Sequence, residues 1–320
     1  MDFYGSGIAF SLFENANTRI DTFLASILRI SRSSVQRGIK GENLSINGKI
    51  VTKSSVCKLK KGDLIEFEME EPEQVSADPE DIPLDIIFEN DSFIIVNKPA
   101  GLLVHPGNGH PNGTLLNGIV NHLNLKEKSI NTPNFRAGIV HRIDKDTSGL
   151  LVVAKNEKTL EELSEKFSRH DIKREYGCIV WGKLKERKGT IETFHGRDPK
   201  NRLRFSPDVR NGRRAVTHYE VVDEYRYASL LKITLETGRT HQIRMHMKYL
   251  GHPILNDELY GGLRRSPDAA LNKLLAASGR QLLHAGVLGF SISCGNFLFK
   301  SDFPNDIKEI KQYFEKISGG

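Results

Sequence analysis

HRIDKDTSGLLVVAKN, residues 141–156, carries three structural signals in succession. Residues 141–149 form the densest polar cluster of the chain, Leu150–Ala154 reads as an apolar strand, and Asn156 is placed to cap a helix that begins at Glu157. A loop abutting a strand that a rigid sheet holds in place is where reactive side chains tend to sit. An ordinary turn explains the local pattern equally well: Asp144 or Asp146 caps the backbone and Thr147-Ser148-Gly149 makes the bend.

Outward from this stretch the pattern is mostly strand: FIIVNK at 93–98, EYGCIVWG at 175–182, GTIETF at 189–194, AVTHYEVVDEY at 215–225, ASLLKITLETG at 228–238 and GVLGFSISCG at 286–295. Helical spacing is confined to a few segments. EKTLEELSEKFSRH carries Leu160, Leu163 and Phe167, THQIRMHMKYLG carries Ile243, Met247 and Leu250 with Gly251 as its stop, and PNDIKEIKQYFEKI carries Ile307, Ile310, Phe314 and Ile317 behind Pro304. PAGLLVHPG after the first strand is a loop enforced by its glycines and prolines. Many strands with few helices between them predict an α+β domain built on a mixed, mainly antiparallel sheet.

The amino-terminal part reads differently. IDTFLASIL has the stripe Ile20, Phe23, Leu24, Ile27 and Leu28; Ser31 or Ser33 is placed to cap a second helix through SSVQRGIK that stops at Gly41; Asn47-Gly48 is a hairpin signal, and LKKGDLIEFEM adds a strand. The 320 residues hold 46 Lys and Arg against 40 Asp and Glu, a net charge of +6 that hints only faintly at an anionic partner. Residues 29–61 contain nine bases and one acid, residues 62–91 twelve acids and no base, and the Arg-rich run RDPKNRLRFSPDVRNGRR at 197–214 seven bases and two acids. One such run is as readily a solvated surface as a binding face. Two, on either side of an acidic joint, favour a polyanion.

No apolar run approaches the roughly 18 residues of a membrane span, and the first residues lack the pattern of a secretion signal, so a cytoplasmic protein is expected. Cys57, Cys178 and Cys294 are too scattered for a disulfide framework or a zinc site, and the histidines show no HEXXH spacing. No GKS/T loop, GxGxxG or GxSxG is present, so neither a metal nor a cofactor is expected.

HRIDKDTSGLLVVAKN, together with VNKPAGLLVHPG at 96–107, KREYGCIVWG at 173–182, LETGRTHQIRMHMKYLGHPILNDELYG at 235–261 and LHAGVLGF at 283–290, resembles the RluA-type pseudouridine synthases over about residues 85–300. RIDTFLA through SRSSVQRGIKGENLSINGKIV to LKKGDLIEF resembles the S4 RNA-binding domain. The resemblance implies an S4-like domain at 17–71, an acidic linker at 72–84 and a pseudouridine synthase domain at 85–317. It implies cofactor-free conversion of uridine to pseudouridine, with Asp144 as the catalytic carboxylate, Tyr176 against the target base and Arg239 as the ion-pair partner of Asp144, Arg244 being second choice for that partner. Arg142 is expected to fill the gap left by a flipped uridine. Lys98 and His105 are expected to shape the pocket. RNA contacts are expected from Arg142, Arg244, Arg29, Arg32, Arg37, Lys40, Arg202, Arg204, Arg213 and Arg214. The expected partner is RNA, ribosomal ahead of transfer RNA, and the expected state a monomer. A catalytically silent RNA-binding or ribosome-assembly protein is the alternative, and a nucleotide hydrolase a more distant one. Intact Asp144, Tyr176 and Arg239 weigh against the silent reading.

Overall fold

The computed structural model describes residues 2–4, 7–11, 16–28, 30, 32–53, 56–68, 78–107, 109–123 and 138–318. The chain divides into two compact units, Met1–Val75 and Ser76–Gly320.

The first unit runs β1 (Asp2–Tyr4), β2 (Gly7–Ser11), β3 (Ala16–Arg19), α1 (Ile20–Leu28), α2 (Arg32–Lys40), β4 (Leu44–Ile46), β5 (Lys49–Ile50), β6 (Val56–Leu59) and β7 (Leu64–Glu68). An antiparallel sheet ordered β1-β2-β7-β4-β5 stands beside the pair β3-β6. Ile20 and Leu24 of α1 and Val35 and Ile39 of α2 close a core over Leu44, Ile65 and Phe67. Asn47 and Gly48 both take left-handed backbone, as a two-residue turn between β4 and β5 requires. The two helices are fastened by Asp21, fully buried, which accepts from Arg19 Nε, Arg32 Nη2 and Gln36 Nε2 at 3.0, 2.9 and 2.7 Å.

The second unit runs β8 (Ile86–Glu89), β9 (Phe93–Lys98), α3 (Leu115–His122), β10 (Ser148–Ala154), α4 (Glu157–Ser168), β11 (Lys173–Trp181), β12 (Lys188–Arg197), β13 (Phe205–Ser206), β14 (Arg213–Glu224), β15 (Ala228–Leu235), α5 (Gln242–Tyr249), α6 (Ala269–Ser278), β16 (Leu283–Ile292), β17 (Gly295–Lys300) and α7 (Asn305–Ser318). One sheet, ordered β13-β12-β14-β15-β11-β16-β10-β9-β8 with β17 on β16, spans it. Each neighbouring pair is antiparallel except β10 with β16. This is the mixed, mainly antiparallel sheet that the strand-rich pattern predicts.

Strand β10 is buried along its whole length because both of its faces are covered. Leu150, Val152 and Ala154 meet Leu160 and Leu163 of α4, while Leu151 and Val153 meet Leu115 and Ile119 of α3. Asn156 Oδ1 accepts the Thr159 amide at 3.0 Å and so starts α4 where the capping pattern places it. Helix α3 has no counterpart in the sequence pattern: Gly118 in its middle argues against a helix, but a Cβ there would lie 3.1 Å from Ile82 and Leu84, so the glycine is retained for close packing.

The parallel contact joins Ser148 to His284 and Gly149 to Ala285. Gly149 has φ +121°, and a Cβ there would fall 2.3 Å from the Ala285 carbonyl oxygen. Gly149→Ala is therefore expected to cost about 3 kcal/mol from backbone strain and overlap together. A lowered urea midpoint would register that loss, and an unchanged midpoint would refute it.

Candidate active site

Asp144 sits in the turn that leads into β10. The Thr147 amide donates to the Asp144 carbonyl at 3.1 Å, closing the turn, so the residue's backbone makes the bend while its side chain lines a cleft of about 460 Å³. Three groups hold this loop from behind, two of them buried and the third, His141, partly buried. Lys98, fully buried at the end of β9, donates from Nζ to the carbonyls of Pro99, Leu102 and Lys145 at 2.7–2.8 Å. Burial pulls its pKa down to about 7, opposed by Asp146. Arg280 Nη1 donates to the Asp146 carbonyl at 3.1 Å and is itself held by Asp306. His141 accepts the Val152 amide at Nε2 and stacks on Phe167, 4.4 Å between centroids; burial, with help from Arg174, pulls its pKa down to about 3, which keeps the ring neutral and able to accept.

Asp144, Arg142, Tyr176, Arg239 and Arg244 all line this one cleft. Their pairing departs from the expected one. Arg244 Nη1 lies 3.2 Å from Asp144 Oδ2, whereas the described ion pairs include none for Arg239, whose Nε reaches only the Arg214 carbonyl at 3.4 Å. The reason is local: Arg239 lies in the turn before α5, with its amide fixed by Gln242 Oε1 at 2.9 Å, while Arg244 lies within α5 and is 8% exposed. Arg244 is thus a buried partner of Asp144.

Asp257, in the segment PILNDELYG, has a role that sequence reasoning missed. It is fully buried and grips Arg244 with two bonds, Nε to Oδ2 at 2.7 Å and Nη2 to Oδ1 at 2.9 Å, so the third nitrogen is aimed at Asp144. A carboxylate amid apolar and turn residues was the available signal. Gln242 was missed as well: it accepts from Thr237 Oγ1 and the Arg239 amide and donates to the Val216 carbonyl and Thr217 Oγ1, pinning the turn before α5 to β14. His241 Nε2 stands 3.9 Å from Asp144 Oδ1. Its Nδ1 meets Tyr260 Oη at 3.2 Å, and the same oxygen accepts the Phe205 amide at 2.8 Å.

Tyr176 projects into the cleft from β11, half-buried, and burial raises the pKa of its hydroxyl, so it stays protonated at neutral pH. Arg142 is exposed at the cleft rim. In the Arg-rich run, Arg214 is bound by Glu192 at 2.7 Å and Glu236 at 2.6 Å, while Arg202 and Arg213 are exposed and belong to no described ion pair. Arg204 Nε is buried without a partner. Phe205 carries the Arg197 guanidinium 4.5 Å from its centroid, stacks on His195, and through Tyr260 reaches His241. In the first unit Arg32 is tied to Asp21, Arg37 and Lys40 are exposed in the last turn of α2, and Arg29 lies outside the described residues. Among the described residues no cluster of His, Cys, Asp and Glu is arranged to hold a metal ion, and no helix is long and apolar enough to cross a membrane.

The sequence matches the RNA pseudouridylate synthase family over residues 92–249. It is 40% identical to an uncharacterized RNA pseudouridine synthase of Bacillus subtilis, with 95% of this chain and 96% of the relative covered. The ribosomal large subunit pseudouridine synthases D of Nitrosomonas europaea and Escherichia coli K12 are 41% and 37% identical, covering 94% and 91% of this chain and 86% and 89% of theirs. Among solved structures, human RNA pseudouridylate synthase domain containing 4 shares the fold, with a TM-score of 0.55 at 21% identity over 72% of this chain and 92% of that one.

Removing Asp257 leaves a buried guanidinium with half its partners. Asp257→Ala should lower stability by about 3–5 kcal/mol, read by chemical denaturation, and a loss within 0.5 kcal/mol or so, the ordinary scatter of surface substitutions, would show that the pair carries little.

Proposed function

Because the chain belongs to the RNA pseudouridine synthase family, we propose that its cleft converts specific uridines to pseudouridine in the RNA of the large ribosomal subunit, with Asp144 as the reacting group. The observation that carries this reading is the aspartate at the cleft wall, 3.2 Å from an arginine that a second, buried carboxylate holds in place. The ribosomal substrate is supported by the names of the relatives that align over nearly the full chain.

The reaction breaks the bond from N1 of uracil to C1′ of the ribose, turns the base, and joins C5 to C1′; one proton leaves C5 and one is gained at N1, so nothing is consumed. Asp144 acts as nucleophile toward the anomeric carbon or the sixth ring carbon, and Arg244 holds it through Oδ2 without occupying Oδ1. Tyr176 offers a ring face to the base and a protonated hydroxyl for proton movement at C5. Arg142, at the rim and stackable, fills the space that the extruded uridine leaves. Arg239 lines the cleft as a cation toward the RNA.

The S4-like reading belongs to the same proposal: residues 17–71 bind structured RNA through Arg37 and Lys40, residues 72–84 link, and residues 85–317 carry the chemistry. The hairpin β12–β14 adds phosphate contacts through Arg202, Arg204 and Arg213, with Arg214 held back by its two glutamates.

Asp144→Asn is expected to lower conversion of large-subunit RNA by more than about a thousandfold, followed as release of label from 5-tritiated uridine. Full conversion by the purified variant would remove Asp144 from its role. Replacing Arg202 and Arg213 by Ala should weaken RNA binding and flatten its salt dependence by about 0.7–0.9 in log–log slope for each phosphate that is no longer neutralised. An unaltered slope would exclude the hairpin.

A further inference from the structure

Among the described cations lining the cleft, Arg174 combines burial with a guanidinium nitrogen that has no partner. It lies on β11, 8% exposed, and lines the cleft. A guanidinium has five N–H donors, yet among the described residues this one makes a single long bond, Nη2 to the Glu236 carbonyl at 3.4 Å, and its Nε is buried with no partner at all. Among the described residues no carboxylate pairs with it: the Glu236 side chain is taken up by Arg214 and His218. The other contact is the Phe167 ring, 5.7 Å away. Space is kept for it, since a Cβ on Gly238 would come 2.5 Å from Arg174 Nη1. An uncompensated buried cation destabilises the free protein, and such a charge is retained where an anion completes it.

We propose that Arg174 is the receptor for one phosphodiester of the RNA strand, the linkage next to the target uridine. This rests on the reading of the cleft as a uridine site. Arg174 and Tyr176 are two residues apart on β11, and both line the same cleft. A base against Tyr176 therefore sets its own backbone toward Arg174. The planar guanidinium presents two parallel N–H donors to two phosphate oxygens, a geometry that lysine cannot supply. Among the described residues Asp144 is the only carboxylate lining the cleft, and it is paired with Arg244, not with Arg174.

The test compares Arg174→Met and Arg174→Lys with the full-length wild type. Three measurements are made: thermal melting, affinity for a single-stranded oligouridylate across a potassium chloride series, and conversion of large-subunit RNA bearing single neutral methylphosphonate linkages. Arg174→Met should melt at or above the wild-type temperature, bind oligouridylate about ten- to a hundredfold more weakly, and lose about 0.7 from the salt slope. Arg174→Lys should restore the slope and only part of the affinity. In conversion, Arg174→Met should raise KM, and one methylphosphonate beside the uridine should slow the wild type without slowing the variant further. A variant that melts well below wild type and binds oligouridylate normally would assign Arg174 a structural role and overturn the proposal. So would effects of the variant and the methylphosphonate that add at every linkage. If the wild type converts no large-subunit RNA, the functional reading fails, and melting and oligouridylate binding still decide the case for Arg174.

Discussion

The guanidinium of Arg244 is shared between two carboxylates, and the sharing is unequal. Asp257, wholly buried, takes two of its nitrogens at 2.7 and 2.9 Å, leaving Asp144 with the third at 3.2 Å. A lone ion pair at this depth would be a poor source of stability, because desolvating two charges costs as much as their attraction returns. Two carboxylates against one arginine leave a net negative charge, and that charge is placed on the cleft side, where Asp144 has an oxygen to spare. The rest of the unit supports this arrangement: α5 supplies Arg244, the turn around Asp257 supplies its grip, and the loop of Asp144 is fixed from behind by Lys98 and Arg280.

How far the sequence discloses this depends on the kind of signal involved. Local patterns are legible: the apolar run Leu150–Ala154, the cap at Asn156 and the hairpin at Asn47-Gly48 follow from side-chain chemistry within a few residues, and the structure has each of them. The aspartate and the tyrosine of one cleft also emerge, because they belong to ordered motifs. The choice between Arg239 and Arg244 does not emerge, since it turns on which of two arginines five residues apart faces Asp144, 100 residues earlier in the chain. Asp257 is invisible for the same reason: a buried acid is recognisable only beside the base it serves. Helix α3 escapes because packing against Ile82 and Leu84 overrides the low helix propensity of Gly118.

The cations in and behind this cleft divide into two kinds. Lys98 has three carbonyls and Arg280 a carboxylate with further carbonyls, so both are satisfied within the protein and serve as fasteners. Arg142 and Arg174 are in no described ion pair, and neither is Arg239. The distinction separates charges that build the site from charges that await something from outside, and it is drawn by counting hydrogen bonds rather than by position. Cations of the second kind give the cleft a positive field around Asp144, while Arg244 holds that carboxylate in place.

Ser148 and Gly149 reach their parallel partners, His284 and Ala285, only across 136 residues of intervening chain. Arg280 and Asp306, which fix the same loop, are equally late. During synthesis, strand β10 therefore emerges with one of its two flanking neighbours missing, and the turn bearing Asp144 has Lys98 behind it but lacks Arg280 and Asp306 until the late helices have been made. The basic residues of α2 are made long before the loop of Asp144 is fixed. Contacts of such long range also form late in refolding, since the entropy of closing the intervening loop must be met first.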